Sequence, residues 1–439
     1  MSTQPSDFNA LWNAVERAGG IDQYIHAQLS ERGYLVARQA TDTMSKKELA
    51  AYKKGLKEEA LHRRLLKKQA WAAYKATHIV HLGEGVYWSD EPEIDRYDLD
   101  EPEARAAENE LPALDSPSDL AKALGIDLQE LRWLSYHRDV AKSIHYHRFT
   151  IPKRNGKERA IWAPMPKLKK VQRWIYHNIV ERLPIHGSAH GFVAGRSILS
   201  HAKGHTDSKV ILSVDIKDFF PSFTFRRVRG LFRKAGYREQ IATLLALLCT
   251  EAPREILDYK GEPHLVALGP RCLPQGAPTS PAITNTICLS LDRRMMGLAR
   301  KNGWRYSRYA DDLSFSLPNR HKGAPKLGNL LGGIHAIVQD EGLVLNPEKT
   351  RVMRSGGRQR ITGLIVNGAA EPRVPRKLRR QLRAAACNLG QGKELHEGES
   401  IARLAGYAAF VTMVQPEEGR ELLGQFGYAQ SAEAKLKER

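Results

Sequence analysis

The fold is decided by the stretch Arg308-Tyr309-Ala310-Asp311-Asp312-Leu313-Ser314-Phe315-Ser316. Two adjacent carboxylates lie there between short runs of alternating apolar and polar residues, a pattern typical of a β-hairpin with acids at its tip. Two negative charges this close repel each other, and a pair of divalent metal ions would offset the repulsion. Because two-metal sites stabilise both the attacking and the leaving oxygen of phosphoryl transfer, a polymerase is the first hypothesis.

Length, charge and cysteine content agree with this hypothesis without deciding it. The 439 residues suffice for two or three domains, and a net charge of +19 favours a polyanionic partner. The four cysteines form no Cys-x-x-Cys pair, so zinc sites and disulfide frameworks are not expected. The apolar run Ile241 to Cys249 is too short for a membrane span, and residues 1–10 do not resemble a signal peptide. We expect a cytoplasmic protein without a membrane partner.

Two segments near the N-terminus carry opposite charge. Residues 45–75 hold ten Lys or Arg against three Glu, with apolar residues at helical spacing, and predict a basic amphipathic helix. The outer face of that helix is either solvated or in contact with RNA. Residues 89–115 hold eleven Asp or Glu against two Arg, with three prolines, and are interpreted as a linker or a loosely held acidic arm. An N-terminal extension is therefore placed at residues 1–115.

A third acid follows a predicted buried strand. The run Val210 to Ile216 is β-branched and apolar, and Asp215 stands near its end. Asp215 would meet the acids of the 311–312 tip across neighbouring strands. Three carboxylates, together with the backbone carbonyl of Ile216, would supply the oxygen ligands that Mg²⁺ prefers. The alternative for Asp215 taken alone is a strand-end cap.

Other segments carry residues suited to binding a nucleotide. A large ring after the metal-binding acid, Phe220, would block a ribose 2′-OH and select deoxynucleotides. Gln275 lies in the Pro/Gly-rich loop 273–281, where backbone amides can approach a ligand, and would support the incoming nucleotide and the template base. Lys349 either lies beside the leaving pyrophosphate or is an ordinary surface lysine.

A basic hairpin is predicted over residues 151–161, because Asn155-Gly156 between two strand-like runs is a strong turn signal. Lys153 and Arg159 are predicted to contact phosphate. For the other two cations of this hairpin, Arg154 and Lys157, a surface position is as good an interpretation.

The C-terminal part, from Val374 onward, has a helical pattern with a cationic face. That face would present a positive stripe, or else be merely solvated, and consists of Arg376, Arg379, Arg380 and Arg383. Among the sixteen histidines no spacing indicates zinc, and His205 is the best candidate for an RNA contact.

The order of these segments resembles that of reverse transcriptases over roughly residues 130–420. The strings DIKDFFPS (215–222), QGAPTSP (275–281) and YADDLSFS (309–316) are similar to the bacterial retron type. Two retron-associated signatures are also present in altered form. The Asn-Ala-x-x-His signature reads HAKGH (201–205), and the Val-Thr-Gly signature reads ITG (361–363).

This resemblance implies an α+β fold of the right-hand polymerase type. Fingers and palm would occupy residues 116–370, with an antiparallel palm sheet carrying Tyr-Ala-Asp-Asp, and a helical thumb would occupy residues 371–439. The helical N-terminal extension lies outside this core. The three aspartates would be catalytic and hold two Mg²⁺ ions, with dNTPs as substrates. In a thumb, the arginine stripe would follow the phosphates of the template–product duplex.

The resemblance also implies partners and a product. The enzyme would bind its own structured noncoding RNA, start from an RNA 2′-OH and extend DNA on that template, giving a branched RNA–DNA hybrid. An effector protein in phage defence is a further implied partner. Two alternatives stay open, namely another bacterial reverse transcriptase (abortive-infection type or group II intron maturase) and a non-catalytic RNA-binding scaffold. A maturase should carry a further domain after the thumb, which this chain is not expected to have.

Overall fold

Helices and strands are mixed along the chain in the computed structural model, which describes residues 5–91, 93–152, 156, 158–368, 371–396 and 398–428. Two units are formed from interleaved stretches of sequence. The first unit comprises Met1–His147, Pro164–Trp174 and Arg229–Gly269. The second unit comprises Arg148–Ala163, Ile175–Val228 and Pro270–Arg439.

The helices have the following bounds in the described part of the chain. They are α1 (Pro5–Arg17), α2 (Ile21–Glu31), α3 (Lys46–Thr77), α4 (Pro102–Glu108), α5 (Pro117–Leu124), α6 (Leu128–Ser135), α7 (Pro166–Asn178), α8 (Ile198–Lys203), α9 (Phe225–Lys234), α10 (Glu239–Cys249), α11 (Ser280–Ile287), α12 (Leu289–Lys301), α13 (Leu327–Asp340), α14 (Arg376–Gly390), α15 (Ile401–Val414) and α16 (Pro416–Gln425).

The strands are short and mostly antiparallel. They are β1 (Val140–Ala141), β2 (Tyr146–Pro152), β3 (Glu158–Pro164), β4 (Ser208–Asp215), β5 (Arg254–Tyr259), β6 (Glu262–Ala267), β7 (Arg305–Tyr309), β8 (Asp312–Pro318), β9 (Arg351–Arg354), β10 (Arg360–Ile361) and β11 (Leu364–Ile365). In the first unit β1, β6 and β5 form a three-stranded sheet. Strands β2 and β3 pair as the predicted basic hairpin, although residues 153–155 and 157 of its turn lie outside the described ranges.

The predicted basic helix over residues 45–75 is confirmed as α3 of the first unit. Its start is fixed by a capping box, in which the Ser45 hydroxyl accepts from the Glu48 N–H and the Glu48 carboxylate accepts from the Ser45 N–H. Leu66, Ala70 and Ala73 are buried along one side of α3. That side packs against α1 and α2, so α3 is anchored along one face and leaves the opposite face to solvent.

The acidic segment 89–115 is not the loosely held arm that composition predicted. Asp98 forms an ion pair with Arg233 at 3.3 Å, and Asp95 Oδ1 accepts from the Gln240 N–H at 2.9 Å. The Tyr237 hydroxyl donates to the Pro112 carbonyl at 3.1 Å. These contacts lie within the first unit, which continues past residue 115 to His147. The acids are complementary to cations that follow more than a hundred residues later.

A four-stranded antiparallel sheet with the order β7-β8-β4-β9 lies in the second unit. One of its two central strands, β4, is the predicted buried strand, and six of its eight residues are buried while the other two are partly buried. Strands β7 and β8 form the predicted acidic hairpin, with Tyr309 opposite Asp312.

The C-terminal helices α14, α15 and α16 share one apolar core, as their helical pattern predicts. Their buried residues include Leu382, Leu404, Val411 and Leu422. In the described part of the chain, no helix has both the length and the apolar content required to cross a bilayer.

Candidate active site

The turn between β7 and β8 holds its backbone in an uncommon conformation. Ala310 has φ +55°, in the left-handed region that residues with a Cβ rarely occupy. Such a conformation persists only where neighbouring groups enforce it, and it is often found at functional sites. The carboxylates of Asp311 and Asp312 follow directly on this strained residue.

Two contacts enforce the turn. Arg308 Nη1 donates to the Ala310 carbonyl at 3.2 Å. On the other side, a Cβ added to Gly191 would lie 2.7 Å from the Ala310 nitrogen, so the two backbones approach more closely than any other residue type permits. Gly191 is itself held, because its carbonyl accepts from Asn285 Nδ2 at 2.8 Å.

Arg308 is fixed by a buried ion pair with Asp292 of α12. Its Nε and Nη2 donate to the two carboxylate oxygens at 2.8 and 2.7 Å, and both side chains are 0% exposed. The Tyr306 hydroxyl also donates to Asp292 Oδ1 at 2.7 Å, and Asn285 Oδ1 accepts from Arg308 Nη1 at 3.0 Å. A fully paired network of this kind gives the acidic turn a rigid base.

Asp215 stands directly opposite Asp312 in the antiparallel register of β4 and β8. Its backbone carbonyl accepts from the Asn346 N–H at 2.8 Å, and the N–H of the next residue, Ile216, donates to the Asp311 carbonyl at 3.0 Å. Backbone bonds on both sides therefore set the three carboxylates at one end of adjoining strands. This juxtaposition is the one that the sequence predicted.

The negative charges of the three carboxylates repel one another. Burial raises the pKa of Asp311, and the negative charge of Asp215 raises it further. Asp312 keeps an exposed surface, yet partial loss of water around its carboxylate, followed by the charges of Asp311 and Asp215, raises its pKa to about 7. Carboxylates that repel in this way favour a bound cation.

Lys349 supplies the cation nearest to this cluster. Its Nζ lies 2.8 Å from Asp215 Oδ2, whereas Asp215 Oδ1 is buried without a hydrogen-bond partner. Burial lowers the pKa of Lys349, but its hydrogen bond to Asp215 and the attraction of the three acids outweigh that effect and raise it. Within the described ranges, no three His, Cys, Asp or Glu side chains are already arranged at the spacing of a metal-binding site. The orphaned carboxylate oxygen and the all-oxygen donor set nevertheless fit Mg²⁺.

A cavity of about 1470 Å³ opens beside the carboxylates. Seven of the residues that the sequence proposed for the site line this cavity: Arg159, Asp215, Ile216, Phe220, Gln275, Asp311 and Lys349. Asp312, the first residue of β8, is not part of the lining. Lys153 lies outside the described residues.

The loop that carries Gln275 is docked on strand β3. The Gln275 carbonyl accepts from the Trp162 N–H at 2.8 Å. The next residue, Gly276, has φ +126°, and a Cβ there would lie 2.8 Å from both the Ile161 Cγ2 and the Trp162 carbonyl oxygen. Only glycine fits that position, which explains the Gln-Gly pair in this loop.

Phe220 occupies the wall of the cavity. It is half-buried, and its ring packs edge-on against Phe219 at 5.6 Å between centroids. Phe219 in turn is buried against Phe223 at 5.1 Å. The ring of Phe220 is thus backed by core residues and presented to the cavity.

The predicted RNA contact of His205 is contradicted by its burial. The side chain is 1% exposed, and its two ring nitrogens lie 2.7 Å from Ser316 Oγ and 2.6 Å from Ser307 Oγ. Burial and the charge of nearby groups, His201 first, lower its pKa well below the usual range. A neutral ring with both nitrogens occupied supports the four-stranded sheet from behind and presents nothing to RNA.

The four stripe arginines of α14 fall into two pairs. Arg379 and Arg383 each contact the Glu418 carboxylate of α16 at 2.7 Å. Arg376 and Arg380 are exposed. Half of the predicted stripe therefore also joins α14 to α16, and Glu418 offsets part of the positive charge of these two arginines.

Sequence reasoning missed four residues that position the acidic turn: Gly191, Asn285, Asp292 and Arg308. A charged residue on a strand whose other members are buried was a usable signal for Arg308, since burial of a lone guanidinium is costly. No local pattern identified its partner Asp292 on a separate helix.

Comparison with known proteins agrees with this geometry. The pattern of the family described as "Reverse transcriptase (RNA-dependent DNA polymerase)" matches residues 151–373. The chain is 50% identical over 422 residues to the retron Mx162 reverse transcriptase of Myxococcus xanthus, covering 94% of this chain and 87% of that protein. It is 42% identical over 325 residues to the retron Mx65 reverse transcriptase of the same organism, covering 74% of each.

A more distant relative comes from another bacterium. The retron Ec86 reverse transcriptase of Escherichia coli is 32% identical over 315 residues, which cover 71% of this chain and 89% of that protein. The similarity therefore extends well beyond the residues of the acidic turn.

Proposed function

This chain belongs to the retron reverse transcriptases and is an RNA-directed DNA polymerase, and we propose that Asp215, Asp311 and Asp312 are its catalytic carboxylates. The observation that carries the proposal is the register that sets Asp215 opposite Asp312, with a buried oxygen of Asp215 left without a partner. Membership of this family removes the two alternatives, a maturase-like or abortive-infection enzyme and a non-catalytic scaffold.

The carboxylates and the Ile216 carbonyl would hold two Mg²⁺ ions. When bound, the ions would stabilise the attacking primer oxygen and the leaving pyrophosphate oxygen. The chain's own contribution is positioning, which is expected where phosphoryl transfer needs little covalent help from the protein. The strained turn at Ala310 and the Arg308–Asp292 pair keep the acids in place before substrate arrives.

Lys349 is proposed to contact the leaving pyrophosphate. Its ammonium has three N–H donors, and the contact with Asp215 Oδ2 uses one of them. The raised pKa keeps Lys349 charged at neutral pH, so it can neutralise negative charge as pyrophosphate departs. Its place in the cavity lining supports this role.

The same cavity is proposed to bind the dNTP. Arg159 of β3 would contact the triphosphate, and so would Lys153, which the sequence predicts to belong to the same basic hairpin. Gln275 would support the base pair, because its loop is docked on β3 and cannot move away independently. Phe220 would exclude a ribose 2′-OH, because its ring packs against Phe219 and is held in place at the cavity wall.

We propose the right-hand arrangement for the chain as a whole, with the four-stranded sheet as palm, the β2–β3 hairpin as part of the fingers and α14–α16 as thumb. The template and primer are proposed to be a structured noncoding RNA, and synthesis to start at an RNA 2′-OH. The product would be a branched RNA–DNA hybrid made in the cytoplasm. An effector protein and a role in phage defence belong to the same proposal, and retron membership supports them all.

The test is to analyse the nucleic acid that co-purifies with the protein. From cells that express the wild-type protein and its neighbouring RNA locus, we expect DNA that stays joined to RNA after denaturation. Asp312→Asn protein should carry the same RNA without DNA. Unbranched DNA from the wild type would refute 2′-OH priming, and DNA on the variant would refute the catalytic assignment.

A further inference from the structure

The outward face of α3 carries cations and no acids. We call this face the α3 stripe, and its members follow one another at intervals of seven or four residues: Lys46, Lys53, Lys57, Arg64, Lys68 and Lys75. At 100° per residue, they fall within about 60° of the helix circumference. The buried residues Leu66, Ala70 and Ala73 lie on the opposite side, so the stripe faces directly away from the body of the first unit.

The acids of α3 are engaged elsewhere. Glu48 belongs to the N-terminal capping box, and Glu59 is buried, where it pairs with Arg38 at 2.8 Å and with Arg63 at 3.1 Å. Glu58 lies beside Lys54, outside the stripe, at 4.0 Å. All six members of the stripe are exposed, and none has an ion-pair partner among the residues that the structure describes. The stripe is therefore an uncompensated row of positive charge.

This arrangement opposes the stability of the helix. Lys53 and Lys57 are four residues apart, as are Arg64 and Lys68, and like charges at this spacing destabilise a helix. Surface helices ordinarily intersperse Glu with Lys, which stabilises them through opposite pairs. A polyanion bound along the stripe would reverse the sign of this contribution.

We propose that the α3 stripe binds the phosphate backbone of double-stranded RNA. At about 1.5 Å per residue, the stripe is straight over about 44 Å, which suits the ridge of a stiff duplex. Single-stranded nucleic acid is usually held on several aromatic side chains that stack bases, and Trp71 is the one aromatic residue within the stripe's sector of α3. Lysine and arginine contacts to phosphate read duplex shape without reading sequence.

The site is separate from the proposed catalytic residues. It belongs to the first unit, whereas the carboxylates belong to the second, and its binding can be measured without dNTPs or DNA synthesis. Failure of one proposal therefore leaves the other standing.

The experiment compares two full-length triple variants with equal loss of charge. The first replaces three members of the stripe, Lys53→Gln, Lys57→Gln and Arg64→Gln. Binding of a labelled RNA duplex of roughly 20 base pairs is measured by fluorescence anisotropy over a series of salt concentrations. All other phosphate contacts are shared with the wild type, so the change in salt dependence isolates α3.

The control variant removes three exposed cations of the first unit that lie on or beside other helices, Arg17→Gln, Arg32→Gln and Lys122→Gln. Melting temperatures of both variants are compared with the wild type to show that each is folded. Because the stripe variant loses like charges that repel each other along α3, its melting temperature should equal or exceed that of the wild type.

We expect the stripe variant to lose about three units of slope in log affinity against log salt, one for each lost phosphate contact. Its affinity for the duplex should fall at least about tenfold, and the control should change by less than one unit. Equal losses in the two variants would overturn the proposal, because only overall charge would matter. The proposal would also be overturned if the stripe variant lost affinity only for single-stranded RNA, or only for vesicles of anionic lipid.

Discussion

Two neighbouring aspartates on one turn do nothing for folding, because their negative charges repel each other. Burial and then the charge of Asp215 raise the pKa of Asp311. Loss of water around the carboxylate, followed by the charges of Asp311 and Asp215, raises the pKa of Asp312 to about 7. Such repulsion is expected of carboxylates that are arranged for cations rather than for packing. The residues around them have the opposite task of holding the turn.

Replacing either acid of the turn should abolish DNA synthesis while RNA binding persists. For Asp311→Asn and Asp312→Asn, we expect a loss of about a thousandfold in nucleotide incorporation, since a metal site contributes several kcal/mol to the transition state. Incorporation of radiolabelled dNTP measures the loss. Asp340→Asn, at an exposed position on α13, is the matched control and should retain activity. Normal synthesis by both site variants would refute the metal assignment.

The Arg308–Asp292 pair should show the asymmetry of buried ion pairs. Arg308→Met leaves the Asp292 carboxylate buried without its partner, and we expect a loss of about 3–5 kcal/mol in the free energy of unfolding. The double variant Arg308→Met/Asp292→Leu should recover a large part of that loss. Urea unfolding of both single variants and the double variant measures the coupling. If the double variant loses the sum of the single losses, the pair is not coupled.

The geometry of the acids was accessible to sequence reasoning, whereas their support was not. The β-branched run before Asp215 and the alternation around Asp312 both report local burial, so the strands followed from local pattern. The partner of Arg308 is sixteen residues away on a helix, and nothing local connects the two. His205 was misjudged for the same reason, because its serine partners lie more than a hundred residues downstream.

Whole elements are joined by charges that their own composition does not explain. The acidic segment around α4 docks through Asp98 on Arg233, and α14 docks on α16 through Glu418. Composition predicted a solvated segment in the first case and a free cationic stripe in the second. In both cases, counting charges along the chain misses complementary charges that the fold brings close.

Glu59 should make the anchoring of α3 sensitive to acid. Hydrogen bonding to Arg38, against the opposing effect of burial, lowers the pKa of Glu59 to about 2. A carboxyl whose pKa is lower in the folded than in the unfolded state stabilises the fold above pH 4.5, and this contribution disappears as pH falls toward 2. Between these values, the melting temperature of the wild type should fall more steeply than that of Glu59→Gln.

Glu58→Gln is the matched control for this measurement. Glu58 is the neighbouring acid on the same helix, half-exposed and 4.0 Å from Lys54. Its variant should follow the wild-type curve of melting temperature against pH. Parallel curves for the wild type and Glu59→Gln would show that Glu59 does not stabilise the helix.

The two pairs of arginines on α14 should behave differently. Arg376→Gln/Arg380→Gln removes exposed, unshared charges, and we expect the salt slope of RNA binding to fall by about two units. Arg379→Gln/Arg383→Gln removes charges that Glu418 already offsets, so the slope should change less and the melting temperature more. Anisotropy titrations and thermal melts measure the two effects. An unchanged slope in both variants would remove α14 from the RNA interface, and the reverse order of slopes would assign the contact to Arg379 and Arg383.

For the molecule as a whole, cation binding and folding should be linked. Without a cation, Asp312 binds its proton more tightly in the folded than in the unfolded state, because its pKa is about 7 rather than 3.8. The protein therefore loses stability as pH rises through that interval. Mg²⁺ would offset this loss at pH 8, where the carboxylates are ionised and free to bind.

We expect Mg²⁺ to raise the melting temperature more at pH 8 than at pH 6. At ten times its dissociation constant, the ion should add about 1.4 kcal/mol to the free energy of unfolding. Scanning calorimetry with and without Mg²⁺ at both pH values measures the difference. Asp312→Asn should remove most of it, and an equal gain in wild type and variant would place the ion elsewhere.

The register of β4 against β8 also limits how the length of this chain can change. Side chains alternate between the two faces of a sheet, so inserting or deleting one residue between Val210 and Asp215 would turn Asp215 to the wrong face. The irregular pairing between Ser208 and Val210 marks where one residue of slack is already absorbed. Descendants of this chain can therefore gain or lose residues up to that bulge, whereas the five steps beyond it keep a fixed count.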